Sequence, residues 1–202
     1  MKAVKNVIVL TVITVLAGLL LGYVYDITKG PIADANEKAK QEAYKSVYPT
    51  ADSFEVISNF SSDEASNYVA SKGFTGVTLD EALYAKDSSG NNIGYVLTAT
   101  SPNGYGGDVQ ISVGLSNDCT INGIAFLTLN ETAGLGMKAN TDEFKSQFEG
   151  MNVSKISYTK TGKQADYEID AISGATITTS AVTEDVNAVL EYFNVLNGGV
   201  GE

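Results

Sequence analysis

An uninterrupted apolar run near the N-terminus constrains this chain more than any other feature. No residue between Lys5 and Asp26 is charged, and residues 7–25 read VIVLTVITVLAGLLLGYVY. As a helix rising about 1.5 Å per residue, this run spans roughly 28 Å, close to the hydrocarbon thickness of a bilayer. Because Lys2 and Lys5 precede it, the positive-inside rule predicts that residues 1–6 stay in the cytoplasm and that the C-terminal part is exported.

A cleaved signal peptide is the alternative interpretation of this segment. Ala33-Asp34-Ala35 matches a small-x-small cleavage site, but Gly30-Pro31 separates it from the apolar run. The run is also long for the apolar core of a signal peptide, and no cysteine follows it directly to carry a lipid. We therefore expect an uncleaved transmembrane helix at 7–25 that crosses the lipid bilayer of the cytoplasmic membrane once.

The composition narrows the chemistry open to the rest of the chain. Thirteen Lys and 24 Asp or Glu give a formal net charge of −11, which argues against nucleic acid as a partner, because phosphates require a basic surface. The sequence has no histidine and a single cysteine, Cys119, which excludes His-dependent nucleophiles, iron–sulfur clusters and Cys/His zinc sites. Redox chemistry would therefore require an organic cofactor.

Residues 26–50 predict a second, juxtamembrane helix. Small apolar residues recur there at four-residue spacing with Glu and Lys between them, and Pro49 ends the pattern. The repeated residues are Ala35, Ala39, Ala43 and Val47.

Residues 51–197 predict one extracytoplasmic α+β domain, in which helices flank a mainly antiparallel sheet. Alternating apolar runs separated by turns predict strands, and the polar segment 58–66 predicts a loop. The predicted strands are 81–86, 93–100, 109–115 and 121–129, and the predicted helices are 141–148 and 180–196. We expect the tail 198–202 to be disordered.

Two polar loops that contain glycine stand out from this background. NETAGLGMK at 130–138 follows a predicted strand, and its two glycines would let the backbone approach a flat ligand closely. DAISGAT at 170–176 precedes the last predicted helix, whose N-terminus offers unpaired N–H groups to an anionic phosphate beside Thr176. An ordinary strand-to-helix connection explains the first loop as well, and a helix capped by Thr179 or Ser180 explains the second.

The two loops together resemble the FMN-binding domain family. DAISGAT resembles its flavinylation motif, which is an Asp, then Ser or Thr, Gly, Ala and a final Thr. NETAGLG resembles the family's Glu-Thr-Pro-Gly-Leu-Gly element, and GYGGDVQISVGL at 104–115 resembles the glycine turn and strand before it. The order of the motifs, the closing helix and the anchor also fit, so the likeness covers essentially the whole chain. Ala133 departs from the pattern, because the family usually has Pro there to stiffen the loop.

The resemblance implies one covalent FMN per chain, joined to Thr176 by a phosphoester bond. A separate flavin transferase would supply it from FAD with a divalent metal, so Thr176 is an acceptor and no residue of the chain is catalytic. The transferase would recognise the residues that surround the acceptor, namely Asp170, Ser173, Gly174 and Ala175.

The resemblance also implies where the cofactor lies. The flavin ring would pack on Glu131, Thr132, Gly134, Leu135 and Gly136, and Ser173, Gly174 and Ala175 would line the phosphate end. Glu131 would disfavour anionic reduced flavin, and Lys138 would offset its charge. Lys160 would correspond to the Lys that the family tends to carry before the flavinylation motif.

Within the family, the chain looks most like the G subunits of Rnf electron-transport complexes, which pass electrons between ferredoxin and NAD and translocate ions. The related C subunits of sodium-pumping NADH:quinone reductases are the second-ranked alternative, because they are usually longer. A flavoprotein serving another extracytoplasmic reductase and a non-redox binding module remain alternatives. The predicted span has no charged residue for ion transport, and the chain has no dinucleotide fingerprint. Other membrane subunits would therefore supply those activities.

Overall fold

A single helix, α1 (Lys2–Val47), takes the place of the two predicted N-terminal helices. The structure is a computed structural model that describes residues 2–198. The helix continues through Pro31, which has no N–H to donate to the Ile27 carbonyl. Within the described residues, α1 is the one helix long and apolar enough to cross a membrane, and none of its most apolar segment is buried.

The chain divides into two compact units between Gln41 and Glu42. The second unit thus begins earlier than residue 51, where the sequence predicted the domain boundary. It does so because Ala43, Tyr44 and Val47, in the last turns of α1, are buried in its core.

A five-stranded antiparallel sheet forms the centre of the second unit. Its strands are β1 (Ser53–Val56), β2 (Thr78–Lys86), β3 (Asn92–Ser101), β4 (Val109–Ser116) and β5 (Ile121–Leu129), and they follow one another in sequence order. The four predicted strands are confirmed as β2 to β5, and the α+β class is confirmed with them. The sequence prediction missed β1, together with a small parallel pair, β6 (Ser157–Thr159) and β7 (Glu168–Asp170).

Both faces of the sheet are covered, which explains the nearly continuous apolar sequence of β3. Successive side chains of a strand point to opposite faces. On one face, Leu97 and Ala99 belong to the hydrophobic cluster that also contains buried residues of the C-terminal helix. On the other face, Val96 belongs to a second hydrophobic cluster, which contains Tyr44 and Tyr48.

In the described part of this unit, three α-helices accompany the sheet. The first, α2 (Ser62–Ser71), occupies much of the segment predicted as a loop at 58–66. Its N-cap Ser61 accepts the Glu64 N–H, and Ala65 and Val69 anchor it in the core.

The helix predicted at 141–148 is shorter in the structure than the sequence predicted. Only α3 (Asp142–Lys145) is helical, because the chain continues in tight turns that bury Phe148. A short 3-10 helix, Gly136–Asn140, precedes it.

The last helix, α4 (Thr176–Leu196), begins four residues before the predicted start at Ser180. The apolar residues along one side of this helix are buried: Val182, Val186, Val189, Leu190 and Phe193. Of the predicted tail, Gly198 lies in a turn, and residues 199–202 lie outside the described part of the chain.

Candidate functional site

The two glycine loops meet at one cavity, although about 40 residues separate them in the sequence. The cavity has a volume of about 320 Å³ and lies between the loop after β5 and the start of α4. Leu135 of the first loop lies against Gly174 of the second, since a Cβ on Gly174 would lie 3.1 Å from Leu135 Cδ2. The lining residues are Tyr105, Glu131, Thr132, Leu135, Gly136, Gly174, Ala175 and Thr178.

The first loop closes on its own backbone. The Thr132 carbonyl accepts the N–H groups of Leu135 at 3.1 Å and Met137 at 3.2 Å. Gly134 has a φ of +77°, a backbone conformation that residues other than glycine rarely adopt. These bonds shape the turn in a chain that has Ala133 instead of proline.

Glu131 is held by the glycine turn between β3 and β4. Its Oε1 accepts the Tyr105 backbone N–H at 2.9 Å. The turn approaches so closely that a Cβ on Gly106 would lie 1.8 Å from the Asn130 carbonyl oxygen. The glycines at 104–107 therefore serve to bring a backbone donor to the carboxylate.

Gly136 makes room for two oxygens at the cavity. A Cβ on Gly136 would lie 2.6 Å from Glu131 Oε2 and 2.7 Å from Thr178 Oγ1. Thr178 Oγ1 is buried and has no hydrogen-bond partner among residues 2–198. A buried hydroxyl without a partner is costly and points to a ligand or water that completes it.

Thr176 is the first residue of α4 and is half-buried. The N-cap is Ala175, which has no side-chain oxygen to satisfy the first N–H groups of the helix. The predicted caps Thr179 and Ser180 are wrong, because Thr179 lies inside the helix and its Oγ1 bonds to the Ala175 carbonyl and the Ile172 N–H. The uncapped N-terminus suits an anion beside Thr176.

Lys138, Asp170 and Ser173 line a second cavity of about 330 Å³ and not the first. The Asp170 carboxylate accepts the Lys163 N–H at 2.7 Å, and its backbone N–H donates to Gln147 Oε1 at 2.7 Å. Asp170 thus holds the loop around Lys163 in place, in addition to the recognition role predicted for it. Lys160 is exposed just after β6 and lines neither of these two cavities.

Comparison with known proteins identifies the family. The family model of the FMN-binding domain matches residues 104–191, which include both loops. The G subunit of an ion-translocating oxidoreductase complex from Methanosarcina acetivorans is 34% identical over 197 residues, covering 96% of each chain. This chain belongs to the FMN-binding family of G subunits. The G subunit of the Na⁺-translocating ferredoxin:NAD⁺ oxidoreductase complex from Acetobacterium woodii, 31% identical over 94% of this chain and 91% of its own, agrees with this assignment.

A solved structure supports the fold of this member of the G-subunit family. The C subunit of the Na⁺-translocating NADH-quinone reductase from Parabacteroides distasonis aligns with a TM-score of 0.54 at 18% identity. The alignment covers 84% of this chain and 94% of that one. At this identity the likeness concerns the fold alone.

The described residues fit the FMN of this family. The uncapped start of α4 suits its phosphate, and the glycine-lined cavity beside it suits part of the ring. The unpartnered Thr178 hydroxyl is a group that such a ligand can complete.

The sequence prediction missed two lining residues, Tyr105 and Thr178. Tyr105 lies in the GYGG segment that carried part of the resemblance, so the motif itself could have indicated it. Thr178 had no local signal, because its position matters only once Gly136 lies against it.

Proposed function

We propose that this chain is a membrane-anchored flavoprotein subunit that relays electrons within an ion-translocating ferredoxin:NAD oxidoreductase complex. It carries FMN on Thr176 through a phosphoester bond. The observation that carries the proposal is the juxtaposition of the two motifs, with the cavity between them and Thr176 at the uncapped start of α4.

Each part of the site has a role in this function. When bound, FMN accepts and releases electrons reversibly. The first N–H groups of α4 bind the phosphate, and the glycine loop with Leu135 packs on the ring. The Thr176 hydroxyl does not react unaided, because its pKa is ordinarily high. A flavin transferase therefore joins Thr176 Oγ1 to the FMN phosphorus of FAD, and AMP and the hydroxyl proton leave.

The proposed location of the flavin domain outside the membrane explains why the cofactor is attached covalently. In our proposal residues 7–25 cross the membrane, residues 1–6 remain in the cytoplasm and the flavin domain lies outside. A dissociating flavin would be lost to the external volume, whereas a tethered one stays beside partner subunits. Those subunits supply ion translocation and NAD binding.

The intact mass of the full-length chain tests this proposal. Co-expression with a flavin transferase is expected to add the mass of one FMN less one water, and Thr176→Ala is expected to abolish the gain. Ser180→Ala is the matched control, since Ser180 is an exposed hydroxyl one turn further along α4. If the chain stays unmodified although the same transferase attaches flavin to another substrate protein, the result would favour a non-redox binding module.

Co-purification from the native membrane distinguishes the two redox alternatives. A component of a larger complex is expected to bring several membrane subunits with it in fixed proportion. A flavoprotein that serves another extracytoplasmic reductase would instead be isolated with that reductase or alone.

A further inference from the structure

We propose that Gln147 is a positioning residue for flavin attachment, which holds the segment before Thr176 in the conformation that the flavin transferase binds. The inference rests on the proposed function and gives a role in it to a residue outside the flavinylation motif. Gln147 lies 23 residues before Asp170, the first residue of that motif. It lines the second cavity and not the cavity between the two glycine loops.

The Gln147 side chain binds both backbone polar groups of Asp170. Its Oε1 accepts the Asp170 N–H at 2.7 Å, and its Nε2 donates to the Asp170 carbonyl at 3.3 Å. Asp170 ends β7, which pairs with β6 alone within the described residues. The next N–H, that of Ala171, donates to the Thr159 carbonyl of β6 at 2.8 Å. Gln147 therefore takes the place of a further strand on the free side of β7, and we call these two hydrogen bonds the clasp.

Gln147 is itself held by the core of the domain. The residues Phe144 and Phe148 are buried, and their rings pack edge to face with centroids 5.6 Å apart. Gln147 lies between them in the chain, is half-buried, and donates its backbone N–H to the Phe144 carbonyl at 3.3 Å. A side chain on such a fixed base loses little conformational entropy when it forms a hydrogen bond. The clasp is therefore a rigid attachment of the motif to the core.

The other end of the motif is held by Thr179. The Thr179 hydroxyl accepts the Ile172 N–H at 3.1 Å and donates to the Ala175 carbonyl at 3.0 Å. Between these two residues, Ser173 and Gly174 form an exposed tip. The motif is thus an exposed turn with both ends fixed, one by the clasp and one by the first turns of α4.

A fixed, exposed turn suits recognition by another enzyme. Binding of a segment that is already ordered costs less conformational entropy than binding of a mobile one. Without the clasp, only a fraction of the chains holds the turn in the binding conformation, and the apparent affinity falls by that fraction. Loss of two neutral hydrogen bonds corresponds to a change of about tenfold. Once the turn is bound, the chemical step is the same with or without the clasp.

Transferase kinetics with the unloaded full-length chain as substrate test this role. Gln147→Met keeps the length of the side chain and removes its amide. It is expected to raise the KM of the transferase for the chain about tenfold and to leave kcat within about twofold. A role in fold stability alone would lower Tm and leave KM unchanged. A KM for Gln147→Met within about twofold of the wild-type value would overturn the inference.

Gln110→Met is the matched control for this substitution. Gln110 is also half-buried, and its side chain donates to Asp80 on the central sheet at 2.9 Å, away from the motif. The same loss of an amide there is expected to leave both KM and kcat unchanged. An equal rise in KM in both variants would overturn the specific role of Gln147.

Hydrogen exchange of the unloaded chain, resolved to single residues, tests the clasp without the transferase. The Asp170 N–H donates to Gln147 and not to β6, so the clasp alone protects it. We expect this amide to exchange slowly in the wild type and at nearly the unprotected rate in Gln147→Met. A wild-type Asp170 amide that exchanges at the unprotected rate would overturn the inference, whether or not the variant folds.

Intact mass separates the possible failures. A wild-type chain that gains no flavin mass with an active transferase overturns the proposed function and this inference with it. A wild-type chain that is loaded, while Gln147→Met is loaded with the same KM, overturns this inference alone and leaves the flavoprotein assignment standing.

Discussion

Asp185, in the middle of α4, is an acid enclosed by the core of the domain. Its side chain is 0% exposed, and neither carboxyl oxygen has a hydrogen-bond partner within the described residues. Burial raises the pKa of this carboxyl well above its usual range, and the Glu184 and Asp80 carboxylates raise it further. The Ser101 backbone N–H lowers this pKa in part, although it completes no hydrogen bond of normal geometry.

The pKa difference makes the stability of the domain fall as pH rises. Below the unfolded-state pKa, about 3.9, both states hold the proton and Asp185 has no effect. Between that value and the raised folded-state pKa, only the folded state holds it, so the free energy of unfolding falls by about 1.4 kcal/mol per pH unit. Above the folded-state pKa, the loss stays constant.

Asp185→Asn removes this titration. Between the unfolded-state pKa and the folded-state pKa of Asp185, the stability of the variant relative to wild type is expected to rise by the same ~1.4 kcal/mol per pH unit, or roughly 3 to 6 °C in Tm for a chain of this size. The assay is thermal unfolding of the full-length protein in detergent, followed by near-ultraviolet circular dichroism at about pH 4.5, 5.5 and 6.5. Other carboxyl groups titrate in both proteins and cancel in the difference.

Asp87→Asn provides a control whose stability difference from wild type is expected to stay constant over this pH series. The side-chain and backbone N–H groups of Asn91 lower the pKa of the exposed Asp87. Its contribution to stability is therefore present above the unfolded-state pKa and is lost as the pH falls. If the difference between Asp185→Asn and wild type stays constant across the pH series, Asp185 is hydrated or ionised in the folded state and the reasoning is wrong.

Two substitutions test the loop and the core. Gly136→Ala is expected to displace Glu131 and Thr178, because the new Cβ would lie 2.6 Å and 2.7 Å from their oxygens. The expected cost is about 1–3 kcal/mol of unfolding free energy together with a changed flavin spectrum, and an unaltered spectrum would contradict the close approach. Phe148→Ala removes a fully buried ring and is expected to cost about 3–5 kcal/mol in denaturant unfolding; a loss below about 1 kcal/mol would place Phe148 outside the core.

The sequence predicted the central sheet well because its strands carry long, repeated apolar patterns. It missed α2, whose residues are mostly polar, although Ser61 followed by Glu64 is a helix-start pattern that could have indicated it. The start of α4 was placed too late because Thr-Ile-Thr-Thr has a weak helix propensity, and burial of Thr178 and Thr179 in the tertiary structure overrides it.

The candidate site was predictable only as two separate loops. The resemblance of their motifs indicated a common cofactor, and the structure places Glu131 and Gly136 with Gly174 and Ala175 around one cavity. Local sequence could not reveal the role of Thr178, which depends on a glycine about 40 residues earlier. Lys138 was expected beside Glu131 but lines the neighbouring cavity, because the 3-10 helix that starts at Gly136 redirects the chain.

The end of α1 belongs to the domain as much as to the anchor. The Tyr44 hydroxyl donates to Glu81 at 2.6 Å, and the Tyr48 hydroxyl donates to the Ile93 carbonyl. A soluble fragment cut at residue 51 would remove these tyrosines and uncover apolar side chains such as Val96 on one face of the sheet. Protein engineers who want this domain free of detergent should therefore begin at residue 42, which keeps the last turns of α1 as part of the fold.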